Sequence, residues 1–336
     1  TEWERWLHFR GGLGLGMDKK EALEIVQESA YELGNLPDHF KQDKEIVLEA
    51  VKQLGYALNF ADDNLKRDKK IVLEAVMQDG NALEYADNSL KKDKKIVLEA
   101  VKSESVYVLE YADNSLKKDR EFMLKVIKNC TSDFVLSYVD ESLKKDKEIN
   151  FEAVKQCGLE LKYVENVFKK DIKIVLAAVK NNGLSLKYAD DSLKKDRKIV
   201  LAAVKKFGVS LEHADNSLKK DREIVTLAVK DDGRALEHVD NSLKKDREIV
   251  TLAVKSNGFA LEYIDDSLKK DKEIVILAVK SKPGFILKYL DVSFKKDPDI
   301  LKIVNKDIKD LSKKETDGTI TAYDKLVLND LKEYKG

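Results

Sequence analysis

Between Asp246 and Gly258 the apolar residues are Ile249, Val250, Ala253 and Val254, which lie three, four, seven and eight positions after the aspartate. That spacing gathers them into one stripe on an α-helix. Asp246 stands where an N-cap carboxylate would accept from first-turn amides and complement the positive helix end. Gly258 stands where a left-handed residue would end the helix. A shorter pattern follows, Ala260-Leu261-Glu262-Tyr263-Ile264, then Asp265-Asp266-Ser267-Leu268-Lys269-Lys270 ahead of the next aspartate, Asp271. It is too short for a second long helix. It predicts a short helix or 3-10 segment, then a turn capped by Asp265 and Ser267, with Leu268 pinning that turn to the core.

The unit recurs along the chain. Asp43, Asp68, Asp93, Asp119, Asp146, Asp171, Asp196, Asp221, Asp246, Asp271 and Asp297 follow one another at steps of 25 to 27 residues, and Asp18 opens a degenerate copy before them. A fixed period of this size means one supersecondary unit stacked on itself. The predicted fold is an all-α solenoid of about twelve 25-residue repeats, each one long helix plus a short helix or 3-10 turn, with helical terminal caps. Residues 1–17, with Trp3, Trp6, Leu7 and Phe9, are expected to form the N-terminal cap, 18–304 the repeats, and 305–336 the C-terminal cap. Near the C-terminus, Asp297-Pro298 reads as a helix start, and Thr321 with Asp324 as a capping box before a last helix. Gly55, Gly80, Gly158, Gly183, Gly208 and Gly233 share the slot of Gly258. The units opened by Asp93 and Asp119 lack this glycine and carry added residues, so irregular stacking is expected there.

Composition narrows the function. Lys and Arg total 62 and Asp and Glu total 62, so no net field draws the chain to nucleic acid or to a membrane surface. No apolar run is long enough for a membrane span, and Thr1 to Arg10 carries charges that do not fit a signal peptide. Cys130 and Cys157 fall at one repeat position, and neighbouring repeats stack at about 10 Å, beyond ordinary disulfide reach. A reducing compartment is expected.

No enzyme signature is present, and neither a cofactor nor a catalytic or metal-ligating set is expected. Gly11-Gly12-Leu13-Gly14-Leu15-Gly16 has no Lys-Ser/Thr after it and reads as a hinge or cap turn. Asp317 to Asp324 resembles the second half of an EF-hand or dockerin-type calcium loop, with Asp317 fifth, Gly318 at the sharp turn, Thr319 the carbonyl ligand and Asp324 twelfth. Lys313 then takes the first position, where a carboxylate belongs, with Glu315 third, and the loop reads as degenerate.

Stacking turns each repeat position into a column. The two residues before each aspartate are Lys-Lys or Lys-Arg in ten of eleven units, Lys41-Gln42 being the exception. An acidic residue four positions before the first Lys favours local pairing and a solvated, self-compensated face. A second column holds Phe60, Tyr85, Tyr111, Tyr138, Tyr163, Tyr188, His213, His238, Tyr263 and Tyr289. Its rings are expected to pack on the next unit with their polar tips in water. A third, Lys205, Lys230, Lys255 and Lys280, complements negative helix ends. The candidate binding surface is Lys91, Lys92, Lys117, Lys118, Lys144, Lys145, Lys194, Lys195, Lys219, Lys220, Lys244 and Lys245 with Tyr111, Tyr138, Tyr163 and Tyr188.

The unit Leu-x-Tyr-Ala-x-x-x-Leu-Lys-x-Asp-x-x-x-Val-Leu-x-Ala-Val-Lys-x-x-Gly resembles the tandem repeats of the domain of unknown function 4116 family. Leu186-Lys187-Tyr188-Ala189 through Asp196 to Val204 and Gly208 is a representative fit. The resemblance implies a targeting or partner-binding array of a bacterial effector-like protein, and it brings no catalytic residues. The expected function is a non-enzymatic scaffold for protein–protein interaction, monomeric, with an unidentified protein partner. The alternative is binding of a polyanion or single-stranded nucleic acid along the Lys and Tyr columns.

Overall fold

The computed structural model describes residues 17–104, 106–130, 134–281, 286–294 and 296–335. The expected N-terminal cap, residue 17 apart, and the Gly11–Gly16 hinge lie outside the described residues. The chain forms two compact units, Thr1–Glu165 and Asn166–Gly336. In the first, the long helices are α1 (Lys19–Glu28), α2 (Lys44–Gln53), α3 (Lys69–Gln78), α4 (Lys94–Ser103), α5 (Arg120–Asn129) and α6 (Lys147–Gln156). In the second they are α7 (Ile172–Asn181), α8 (Arg197–Lys206), α9 (Arg222–Asp231), α10 (Arg247–Ser256), α11 (Lys272–Ser281), α12 (Pro298–Thr316) and α13 (Ala322–Lys335). A 3-10 segment follows α2, for instance, at Gly55–Phe60 and α8 at Gly208–His213, and a single short turn then leads to the next aspartate. Within each unit successive repeats pack side by side, as in an all-α repeat solenoid.

The sequence explains the helix starts. Asp43 accepts from the amides of Glu45 and Ile46, Asp246 from those of Glu248 and Ile249, and Asp18 forms a full capping box with Glu21. Behind the caps of the inner repeats the stripe is buried, as with Ile46, Val47, Ala50 and Val51 or Ile249, Val250, Ala253 and Val254, all at 0% exposure. Ala and Leu of the 3-10 segment close the core from the other side, as Ala57 and Leu58 do.

The recurrent glycine has a different reason from the one its position suggests. Gly318 alone among the described glycines has positive φ, so the repeat glycines are not left-handed helix caps. They are the first residues of the 3-10 segments and lie against the next repeat. A Cβ on Gly55, Gly80, Gly208 or Gly233 would sit within 3.0 Å of the carbonyl oxygen of Ala75, Ala100, Ala228 or Ala253 respectively. The residue is small because two backbones meet there.

Polar groups couple the repeats as well. Within each unit a basic residue after the cap reaches the cap aspartate of the following repeat: Lys19 to Asp43 at 2.9 Å, Arg120 to Asp146 at 2.6 Å, Arg197 to Asp221 at 2.8 Å, Arg247 to Asp271 at 3.0 Å and Lys272 to Asp297 at 2.9 Å. Arg222 forks between Asp246 and Glu248. Each of these aspartates therefore caps its own helix and receives a cation from the repeat before. At Ile172, 53% exposed, an apolar side chain takes the cation's place, and Asp196 receives no such rung. A backbone rung runs beside this ladder, with the amides of Asp87, Asp215 and Asp240 donating to the carbonyls of Lys66, Lys194 and Lys219 at 3.0 to 3.1 Å.

The ladder sets an acid response. Arg120, Arg197, Arg222 and Lys272 hold the carboxyls of Asp146, Asp221, Asp246 and Asp297 below the usual range, and the Ser89 hydroxyl and amide, then Arg67, bring Asp87 to about 2. These groups bind fewer protons folded than unfolded. Their stabilisation is complete above the ordinary value of 3.8 and is lost as pH falls through the folded values. Thermal melts followed by circular dichroism should show the midpoint falling steeply between about pH 4 and pH 2.

The unit opened by Asp119 is irregular. It lacks the glycine, and Phe134 adopts φ 76° before the 3-10 turn Val135–Ser137. Glu160 of the following repeat, 1% exposed, reaches back to that turn, where its carboxylate accepts from the amides of Val135 at 2.5 Å and Leu136 at 3.3 Å. Nearby Asn150, also buried, replaces a core valine and donates to the carbonyls of Lys144 and Asp146 at 2.8 Å each. In the second unit, Ser185 and Ser210 occupy the column of Ala57, Ala82, Ala235 and Ala260. Both are fully buried, and neither hydroxyl has a hydrogen-bond partner among the described residues. Removing an unsatisfied buried hydroxyl is favourable, so Ser210→Ala should raise stability by about 1 kcal/mol in urea melts, whereas a loss of stability would reveal a partner for that oxygen.

At the C-terminal end α12 starts on Asp297 with Pro298 in its first turn, and α13 packs back on α12. The Thr321–Asp324 capping box forms in both directions, at 3.3 and 3.0 Å. In the segment read as a degenerate calcium loop, Lys313 to Thr316 complete the last turn of α12. The Asp324 carboxylate serves the cap and Lys314 at 3.4 Å.

Candidate interaction faces

In all six candidate Lys pairs the first lysine is half-buried and the second exposed. The first is held within its own repeat. The Nζ atoms of Lys91 and Lys244 donate to the carbonyls of Glu84 and Glu237 at 2.7 and 2.9 Å, and Lys144 and Lys194 pair with Glu141 and Asp191 at 2.6 and 3.0 Å. The carbonyls of Lys117 and Lys219 accept from the Asp140 and Asp240 amides of the following repeat. The second lysine turns to the next repeat's turn aspartate, with Lys92 at 3.8 Å from Asp113 and Lys245 at 3.7 Å from Asp265, while Lys118, Lys195 and Lys220 act on Asp140, Asp215 and Asp240. Lys145 is exposed. The pairing expected between the first lysine and the acid four residues before it is thus replaced. That acid takes the previous repeat's second lysine, because its own turn holds the carboxylate with the Ser amide and hydroxyl, as Asp240 is held by Ser242.

The aromatic column lies half-buried along the 3-10 segments. The Tyr138 hydroxyl donates to Glu110 Oε1 at 3.3 Å, and Tyr111 and Tyr263 engage Glu84 and Glu237, each glutamate belonging to the repeat before. Burial, then the Glu84 and Glu110 carboxylates, push the Tyr111 hydroxyl above its ordinary value. Lys162 Nζ lies 5.3 Å from the centre of the Tyr163 ring, in cation–π range. Tyr188 sits half-buried at the same position in the second unit, and burial pushes the His213 imidazole down.

A second column went unread in the sequence. The residue after the glycine slot, or its equivalent in irregular units, runs Tyr31, Tyr56, Asn81, Tyr107, Phe134 and Leu159 along the first unit, an aromatic ring in four of six repeats. Tyr31 and Tyr107 are 58% and 53% exposed. These rings meet the aromatic column of the following repeat edge-on: Tyr56 with Tyr85 at 5.2 Å, Tyr107 with Tyr138 at 6.3 Å and Phe134 with Tyr163 at 5.7 Å. One face of the first unit therefore carries tyrosine and phenylalanine rings, interrupted by Asn81, with Glu84 and Glu110 beside them in the third and fourth repeats. In the second unit the same slot holds Leu184, Val209, Arg234 and Phe259, and Arg234 pairs with Asp232 at 2.6 Å. The readable signal was the recurrence of Tyr in that slot, obscured by the added residues after Asp93 and Asp119.

Among the described residues no helix is long and apolar enough to cross a membrane, and no group of three or more His, Cys, Asp or Glu side chains is placed to hold a metal ion. No curated protein matches the chain. Matches to the family model of the Domain of unknown function (DUF4116) cover residues 18–66, 68–117, 104–144, 119–169, 146–194, 171–219, 196–244 and 246–295. All but the match at 104 begin on a cap aspartate, so the family's unit is the helix, 3-10 segment and turn described above, taken about two at a time. With these matches spanning most of its length, the chain belongs to the DUF4116 family.

Proposed function

We propose that the chain is a non-enzymatic scaffold for protein–protein interaction, and that its partner meets the aromatic face of the first unit. One observation supports this reading above others. The recurrent glycine, aspartate and basic columns are engaged between repeats, whereas the slot of Tyr31 and Tyr107 puts large rings more than half into solvent. Tyrosine is enriched at protein interfaces and among the few residues that anchor them. The partner-binding array of an effector-like protein fits the same reading.

The polyanion reading rests on the exposed second lysines, such as Lys118, Lys145 and Lys220. The turn aspartates Asp140 and Asp240 lower the field that Lys118 and Lys220 offer. Two measurements separate the readings. Affinity capture with the full chain should retain a protein partner that Tyr107→Ser releases. A salt-dependent shift of single-stranded RNA or heparin, abolished by exchanging several Lys pairs for Glu, with no protein captured, would favour the polyanion instead.

A further inference from the structure

We propose that the aromatic, acidic face of the first unit binds an extended cationic peptide, its Arg or Lys side chains seated on exposed rings such as Tyr107 and against the carboxylates of Glu84 and Glu110. This deepens the scaffold reading and rests on it. The column next to the rings sets the charge of this face. The position that carries Glu84 and Glu110 in the third and fourth repeats carries Lys162 in the sixth, and there the chain's own ammonium lies over Tyr163. Where glutamate replaces that lysine, the repeat brings carboxylates to the rings in place of a cation, which complements a ligand carrying one. Lys91 reaches this edge, but its ammonium bonds the Glu84 backbone carbonyl at 2.7 Å and not the carboxylate.

Spacing argues for an extended ligand. Packed helices repeat at about 10 Å, and an extended or polyproline II chain advances about 10 Å in three residues, so a cation at every third residue keeps step with the repeats. Over the third and fourth repeats a segment lying along the face would meet Glu84 and then Glu110, with the Tyr85, Tyr107 and Tyr111 rings beside them. An anionic strand would meet Glu84 and Glu110 with like charge.

The test uses the full chain and fluorescein-labelled (Arg-Gly-Ser)4 in fluorescence anisotropy, with (Glu-Gly-Ser)4 and an oligodeoxythymidine of equal length as comparison probes. The arginine peptide should bind tightest, and Tyr107→Ser/Glu110→Gln should weaken it tenfold or more. Asp38→Asn, an equal charge change at an exposed site away from the rings, should alter it less than twofold. Glu110→Gln alone, with an unchanged circular dichroism spectrum, guards against a folding defect and should weaken binding at least threefold. Wild-type affinity in the double variant, an equal loss in Asp38→Asn, or tighter binding of the oligodeoxythymidine would overturn the proposal. A captured protein partner that Tyr107→Ser releases, while the arginine peptide fails to bind the wild-type chain, would overturn it while leaving the scaffold reading in place.

Discussion

Gly233→Ala should destabilise the chain by about 3 kcal/mol, and Gly233→Asn by more, in urea melts of the full chain. The added Cβ would lie within 3.0 Å of the Ala253 carbonyl oxygen and 2.9 Å from the Asn257 amide nitrogen, both backbone atoms of the next repeat that cannot turn aside. The order of the two variants is the informative part. Were Gly233 a left-handed helix terminator, Asn would be the better tolerated replacement, since it visits that conformation more readily than Ala. In a contact between backbones the larger side chain does more harm. Because repeats interact with their neighbours, the damage should centre on the repeats carrying Gly233 and Ala253, which hydrogen exchange would locate.

Glu160→Ala should cost about 3 kcal/mol, although alanine is what the same column holds at Ala57, Ala82, Ala235 and Ala260. A consensus argument would predict stabilisation. The structure predicts the opposite because the Val135 and Leu136 amides, on buried residues, would both lose their acceptor. Glu160→Gln keeps one acceptor oxygen but sets an amide N–H against a donor, and should fall between Ala and wild type. Urea melts and amide exchange over residues 134–139 read the effect. A change below about 0.5 kcal/mol for Glu160→Ala would mean that this carboxylate does not support the irregular turn.

Much of this architecture could be read from residue order alone. The twenty-five-residue step, the cap role of the aspartates, the 3-10 return and the Thr321–Asp324 box are local features, set by contacts within a few residues, and local features leave local patterns. The reason for the glycines was misread because a glycine twelve residues after a cap satisfies two physical demands equally well in sequence, conformational freedom and lack of bulk. Only the position of the Ala253 carbonyl decides between them. The ion-pair ladder was hidden for a related reason. Arg222 has its partners at Asp246 and Glu248, a full repeat ahead, whereas inspection of charge patterns favours partners three or four residues away.

The candidate surface divides in the same way. The Lys pairs stood out because they are nearly invariant from repeat to repeat within the chain, and that regularity matches their place between repeats. The rings of Tyr31, Tyr107 and Phe134 were harder to see because their slot changes residue type along the chain and slips in register after Asp93. In a stacked array, positions that hold neighbours together must recur, while positions facing a partner are free to vary. Function is therefore to be sought in the irregular columns.

Hydrogen exchange of the full chain with and without (Arg-Gly-Ser)4 tests that division most directly. Added protection is predicted in the 3-10 segments Gly80–Tyr85 and Val106–Glu110, with the Lys-pair turns at Leu90–Lys92 and Leu243–Lys245 unchanged. Protection concentrated in those Lys-pair turns, or none at Val106–Glu110, would contradict it.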